Sequence, residues 1–310
     1  MIKTRFESIG VHVPAKKVST AELISQMKNQ PEFSLEEITG IKNRLWASEK
    51  ETSFTMGVDS AKNCLKKSSY KAEDLDIIIS CSIARFVDKK MMHYEPSMSL
   101  MIKRAIGADK AICFDVSNAC AGMFSGLLIL DAMIKSGAVK NGMVVSGEEI
   151  SSIAETAVLE VKDSYDPQFG SLTVGDSGAA LILDQAIDDD DVIEEIELLS
   201  TSEYSHLAIG MPSNESNMFA MYASNSKMHS EERLQIWPNF QLDTQQKMKT
   251  SFTSQRYDYI IQHQVGMKFI KKLLKIGAAA FGTEMPESLA VLDEYGNTSS
   301  TSHFMVLHDQ

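Results

Sequence analysis

Short apolar runs alternating with helix-like stretches predict an α/β layered fold. The first observation behind that prediction is a set of strand-length runs rich in Ile, Val and Leu: Asp76 to Ser82, Ala111 to Val116, Gly142 to Ser146 and Ala179 to Leu183. They are apolar on both faces, as strands covered on both sides are. The second is the segment Ala121 to Ser136 between two of them, apolar enough for a central helix and closed by Gly137. The third is the return of strand-like runs late in the chain, at Tyr257 to Gln262 and Ser288 to Leu292.

Between the early and late strands lies an acidic stretch, Asp188 to Asp191 followed by Glu194, Glu195 and Glu197. It reads as a solvated connection between two halves rather than a metal site, because consecutive Asp side chains point apart. The polar, Met-, Asn- and Ser-rich stretch from Ser202 to Gln245 predicts loops and helices over a cavity.

The 310 residues are 44% hydrophobic and 23% charged, a globular composition with room for one large core or two fused ones. A net charge of −12 argues against nucleic-acid binding, which needs clustered Lys and Arg. No apolar run is long enough for a membrane span. The residues after Met1, Ile2-Lys-Thr-Arg-Phe, lack the apolar core of a signal peptide. Cys64, Cys81, Cys113 and Cys120 make no zinc pattern and no disulfide framework. Three of them are expected to be buried apolar residues of a protein in the reducing cytoplasm.

Cys120 is different. Phe114-Asp-Val-Ser-Asn-Ala-Cys120-Ala-Gly-Met puts a thiol where a strand ends and an apolar helix begins. The positive end of the helix macrodipole lowers a thiol pKa there and raises the thiolate fraction. Ala119, Ala121 and Gly122 leave room for a ligand. Taken alone, the residue reads rather as a buried structural cysteine. His263 follows a strand in Ile260-Ile-Gln-His-Gln, and Asn297 follows another in Tyr295-Gly-Asn-Thr-Ser-Ser. Either could be a packed interior residue or a turn residue. A Cys, a His and an Asn at strand ends of one α/β chain converge on a crevice, and that combination is far rarer.

The chain resembles ketoacyl-ACP synthase III and its relatives in the thiolase superfamily. The matching stretches are Thr39-Gly-Ile, Phe114-Asp-Val-Ser-Asn-Ala-Cys120-Ala-Gly, Val145-Ser-Gly-Glu, Gly175-Asp-Ser-Gly-Ala-Ala, His263-Gln264 and Gly296-Asn-Thr-Ser. They run in family order over nearly the whole chain. The resemblance implies two pseudo-repeated halves, residues 1–186 with the Cys and 192–310 with the His and Asn. Each half would hold a mixed five-stranded sheet, stacked as αβαβα layers, in a homodimer. It further implies that Cys120 is acylated. His263 and Asn297 would donate hydrogen bonds to the thioester carbonyl of the second substrate and so stabilise its enolate. Substrates would be coenzyme A or acyl carrier protein thioesters, with no cofactor and no metal.

Departures from the family pattern refine this. An aromatic residue and an arginine that sandwich the adenine of coenzyme A are replaced by Ser34 and Ile38, which argues against the usual acetyl-CoA priming. Lys268 matches a basic position used for carrier-protein docking; it equally fits a plain surface lysine. Glu95, in Tyr94-Glu-Pro-Ser, stands where common synthases have a Phe that enters the neighbouring subunit's acyl pocket. A carboxylate there resembles enzymes that join two acyl thioesters head to head and the pyrone-forming ketosynthases. Glu155-Thr-Ala resembles the head-to-head enzymes as well. In a dry pocket Glu95 would have a raised pKa and suit α-proton abstraction; on an interface loop it would be only a surface residue. Relatives also continue past the Asn motif with further strands and a Gly-rich loop whose amide completes the oxyanion hole. With the sequence stopping at Gln310, a truncated chain or another source of that donor is expected.

The expected function is therefore Claisen condensation of acyl thioesters through acyl-Cys120, with Glu95 favouring joining without decarboxylation. Decarboxylative extension with malonyl-ACP, in fatty acid or polyketide synthesis, is the alternative within the class. A catalytically silent partner subunit of a ketosynthase dimer is the alternative outside it. Hydrolase and nucleotide-binding readings lack their motifs.

Overall fold

In the computed structural model, described over residues 2–88 and 92–310, the first half is built on one mixed five-stranded sheet. The strands in chain order are β1 (Thr4–His12), β2 (Lys16–Ser19), β3 (Asn43–Trp46), β4 (Ile77–Ser80), β5 (Ile112–Asp115), β6 (Asn141–Glu148), β7 (Ser177–Gln185), β8 (Ala208–Pro212), β9 (Phe219–Ala223), β10 (Tyr259–Ile261) and β11 (Glu287–Leu289). The main sheet runs β1-β7-β6-β4-β5. β5, β4 and β6 are parallel neighbours, while β7 is antiparallel to both β6 and β1.

Both faces of the central strands β4, β6 and β7 are covered, which is why they are buried without alternation. The period of two then sorts their side chains between two cores. On one face Ile78, Met143, Val145, Ala180 and Ile182 pack with Val58, Ala61, Met98 and Ile102 from the helices Ser53–Lys67 and Met98–Ile106. On the other, Ile77, Ile79, Val144, Leu181 and Leu183 pack with Met123, Leu127, Leu130 and Ile134 from the helix Gly122–Lys135. The sheet is pressed tightly against Ser53–Lys67. A Cβ on Gly147 would stand 2.0 Å from the Ser53 carbonyl oxygen, so only glycine permits that approach. The helix Gly122–Lys135 stops as expected: Gly137 takes a left-handed φ of 75° just past its end.

The expected strands and central helix are present; β4, β5, β10 and the helix are shorter than expected, while β6 and β7 run longer at both ends. β1 and the antiparallel β8–β9 hairpin were not legible in the sequence. The second half departs from the five-stranded expectation. Among the described residues its strands form two two-stranded sheets, the β8–β9 hairpin and β10 with β11, paired in parallel from Tyr259–Glu287 to Ile261–Leu289. Residues 186–201 contain no helix or strand, and Asp189 and Asp191 there pair with Lys3 and Arg5. The Ala186 and Ile193 N–H groups donate to the Lys3 and Thr4 carbonyls at 2.9 and 2.7 Å, isolated bonds that build no ladder.

The second half docks through the helix Ser302–Asp309, whose Phe304 enters the core of the first half. Met305 and Val306 pack with Val11, Ile261 and Leu289. That helix and the turn before it carry the C-terminal part of the candidate site to the ends of β5 and β6.

Candidate active site

β5 ends at Asp115, and the chain turns through Ala119, whose φ is 44°, into the one-turn 3-10 helix Ala119–Ala121 that opens the helix Gly122–Lys135. Cys120 therefore sits at a helix N-terminus, half-buried. Asn118 Nδ2 donates to Ser125 Oγ at 2.8 Å, and Ser125 Oγ to the Ala121 carbonyl, so the bend is tied to the helix it precedes. Cys64 and Cys81 are buried, while Cys113 is partly exposed.

The Gly296–Ser302 turn meets this bend because each polar residue along it is held from another element. The Asn297 N–H donates to the Thr173 carbonyl at 2.9 Å, and the Gly175 N–H donates to the Asn297 carbonyl at 3.0 Å. Gly175 is required: a Cβ there would lie 2.1 Å from the Tyr295 carbonyl oxygen. Asn297 Oδ1 accepts from the Ser299 N–H at 3.0 Å, which leaves the amide NH2 as the outward-facing donor. Ser300 Oγ donates to Glu148 at the end of β6 and lies 2.9 Å from Ser146 Oγ. Ser177 Oγ and Thr301 Oγ1 are 2.6 Å apart. Ser299 Oγ stands 3.6 Å from Cys120 Sγ.

His263 follows β10 and reaches the same place. Its Nδ1 is 2.7 Å from Ser302 Oγ. The Ser302 hydroxyl donates its only proton to the Ser299 carbonyl at 2.9 Å, so it accepts from His263 Nδ1–H. The neutral ring thus carries its lone pair on Nε2. Burial by itself pushes the Cys120 thiol up. The charge and hydrogen bond of His263, with the Ser299 hydroxyl, outweigh that and hold it below the ordinary thiol value, against an upward pull from Glu148. By contrast, burial pushes Cys81 up to about 12 and Cys64 up to about 11, which keeps both as inert thiols.

Glu148 is fully buried, and burial raises its pKa. It accepts from the Ile83 and Ala84 N–H groups at 3.0 and 3.1 Å and from Ser146 Oγ at 2.9 Å, as well as from Ser300. Asp176 similarly gathers the N–H groups of Ala47, Ile150 and Ser151.

Of the residues singled out in the sequence, Cys120, His263 and Asn297 are thus joined through Ser299 and Ser302. Glu95 is not. It lies exposed on the loop before the helix Met98–Ile106. Asp115 holds the start of that helix, accepting from the Met98 and Ser99 N–H groups at 3.0 and 2.9 Å. Lys268 is exposed on the first turn of the helix Met267–Phe281. Ser34 caps the helix Leu35–Thr39, and Ile38 packs on a core, so neither offers a flat face or a charge. Sequence reasoning missed Ser299, Ser302, Glu148 and His303. The Ser-rich run after Asn297 was the only signal for the first two. Among the described residues, no cluster of His, Cys, Asp or Glu is placed to hold a metal ion, and no helix is long and apolar enough to cross a membrane.

A depressed thiol beside an imidazole acceptor and an amide donor can attack a thioester, hold the acyl group and bind a carbonyl oxygen. The family model described as 3-oxoacyl-[acyl-carrier-protein] synthase III matches residues 114–201, the segment containing Cys120. Beta-ketoacyl-[acyl-carrier-protein] synthase III of Clostridium novyi is 29% identical, over 97% of this chain and 88% of the relative. The Enterococcus faecalis protein of the same name is 28% identical, over 96% of this chain and 86% of the relative. The structure of 3-oxoacyl-[acyl-carrier-protein] synthase III from Aquifex aeolicus superposes with a TM-score of 0.79 at 21% identity, covering 99% of this chain and 90% of that one. Cerulenin-bound OleA from Xanthomonas campestris gives 0.80 at 18% identity, covering 100% and 89%. At these identities the structural likenesses carry the fold.

Proposed function

We propose that this chain is a 3-oxoacyl-[acyl-carrier-protein] synthase III-like acyltransferase, in which Cys120, His263 and Asn297 perform a Claisen condensation of acyl thioesters. The observation that carries the reading is the hydrogen-bonded neighbourhood of the Cys120 thiol and His263, tied to Asn297 through Ser299.

The site residues then act in sequence. His263 Nε2 takes the Cys120 proton, and the thiolate adds to the carbonyl carbon of an acyl thioester. We assign the Cys120 N–H as a donor to the resulting oxyanion. When the carbonyl re-forms, the carrier thiolate leaves and takes its proton from solvent, so His263 keeps the Nε2–H it gained from Cys120. The second thioester binds with its carbonyl oxygen on His263 Nε2–H and Asn297 Nδ2. Its α-carbanion attacks acyl-Cys120, the new carbon–carbon bond forms, and the Cys120 thiolate departs.

The source of the carbanion sets the substrate. We assign proton removal to Glu95, which would join two ordinary acyl thioesters with no loss of carbon dioxide. Because Glu95 is exposed within its own chain, it reaches the reacting atoms only from a second copy. The edge strand β5, with Ile112 57% exposed beside Tyr94 at 78% and Leu100 at 46%, is the face we assign to that homodimer. The halves 1–186 and 192–310 are taken as the two pseudo-repeats. Lys268, Lys271, Lys272 and Lys275 share one helix face and would receive an acidic carrier protein, against a net charge of −12.

Labelled acyl and malonyl thioesters, with carbon dioxide measured, test the assignment. Glu95→Gln should remove condensation of two acyl thioesters. If instead the natural protein turns over only with malonyl thioester and Glu95→Gln leaves that rate intact, the Glu95 base is wrong and decarboxylative extension stands. Absence of any acyl adduct on Cys120 by mass spectrometry would favour a silent partner subunit.

A further inference from the structure

His303 is an imidazole beside the reacting groups to which the chemistry above gives no part. It follows Ser302, the residue that holds His263 Nδ1. Its ring lies nearly parallel to that of His263, with centroids 5.6 Å apart and 12° between the planes. Phe124, in the first turn of the helix behind Cys120, meets the same ring edge-on at 4.9 Å. One ring therefore spans from the Cys120 helix to the His263 side chain. Its Nδ1 is buried with no hydrogen-bond partner, and an unpaired buried nitrogen is destabilising. Nothing near that atom explains the residue; its flat face does.

We infer that His303 is a positioning residue, its face fixing the plane of the His263 ring so that Nε2 stays on the Cys120 thiol. The Ser302 hydrogen bond restrains one corner of His263 and leaves the ring free to swivel about that corner. A parallel face on one side stops the swivel. Burial, then the nearby His263, holds His303 down to about 3, so its ring stays neutral. A cation rests well on a neutral π face, whereas two stacked cations would repel.

The inference rests on Cys120 and His263 being the reacting pair, and the test separates the two ideas. Iodoacetamide alkylation of Cys120 in the full chain, followed by mass spectrometry against pH, is compared for the natural protein, His303→Phe, His303→Leu and His303→Ala. Phe keeps the face and removes the orphaned nitrogen, so it should fold with an equal or higher Tm and retain the low inflection. Leu and Ala lack the face and should move the inflection up by about one pH unit towards an ordinary thiol. Leu fills the space, so it decides the matter even if Ala does not fold. Glu148, the other charged group acting on the thiol, is present in all of them. An unmoved inflection in His303→Leu, or a shift in His303→Phe equal to that in Leu, overturns the inference. His263→Ala is the control: if it leaves the inflection in place, the Cys120–His263 pairing itself is wrong.

Discussion

His263 Nδ1–H donates to the Ser302 hydroxyl across 2.7 Å, and that hydroxyl has its own proton committed to the Ser299 carbonyl. A single serine thus selects the histidine tautomer whose lone pair faces Cys120. The same local turn supplies Ser299, which stands 3.6 Å from the thiol.

Ser302→Ala should therefore slow acyl transfer to Cys120 without removing it. The lost hydrogen bond is worth about 1–1.5 kcal/mol, or roughly tenfold in rate. Single-turnover acylation followed by mass spectrometry measures this. A rate equal to that of the natural chain would show that the tautomer is set elsewhere.

The thiolate is the attacking form, and the Cys120 pKa is held below its ordinary value. Alkylation of Cys120 should accelerate as pH rises through an inflection below that of free cysteine, then level off. In His263→Ala the inflection should move upward, because burial remains and the compensating imidazole is gone. An inflection at or above the free-cysteine value in the natural chain contradicts the site as described.

Asn297→Ala should spare the first half-reaction and damage the second. Its amide NH2 is oriented by the Oδ1 contact with the Ser299 N–H, ready for an oxyanion. Removing one such donor costs about a hundredfold to a thousandfold in kcat. Acyl-Cys120 should then accumulate. Loss of acylation as well would place Asn297 in the first step.

Gly175→Ala should disturb the same turn from outside the site. The new Cβ would stand 2.1 Å from the Tyr295 carbonyl oxygen and force that strand of backbone away from Asn297. Overpacking of this kind costs about 1–3 kcal/mol, visible as a lower denaturation midpoint, and condensation should fall with it. An unchanged midpoint with full activity would show that the turn yields without cost.

Glu148→Ala would strip the acceptor from the part-buried Ile83 N–H, the buried Ala84 N–H and two serine hydroxyls. A loss of about 2–4 kcal/mol in stability is expected, read from urea unfolding. A change below 1 kcal/mol would mean the pocket rehydrates.

The strands β4, β6 and β7 and the helix Gly122–Lys135 were legible because burial on both sides writes itself as apolar runs, and β5 through its short run Ile112 to Phe114. β1 escaped notice because its pattern, with Arg5 and Glu7 among apolar residues, is that of a strand with polar partners such as Asp184 and Ser69. β8 is exposed along its length and β9 is part-buried, and the two exist through their pairing with each other. Local composition holds no record of a partner strand.

By itself the sequence determined the α/β class, the thiol at a helix N-terminus, and the three residue types of the candidate site. These follow from nearest-neighbour chemistry: apolar period, helix starts and turn residues. Only the tertiary structure decided that Cys120, His263 and Asn297 meet, that Glu95 does not join them within one chain, and that Ser299, Ser302 and His303 complete the group. The reason is physical. A hydrogen bond or a ring contact between residues far apart in the chain depends on how β5, β6 and β10 end against one turn, and no segment read alone contains that geometry.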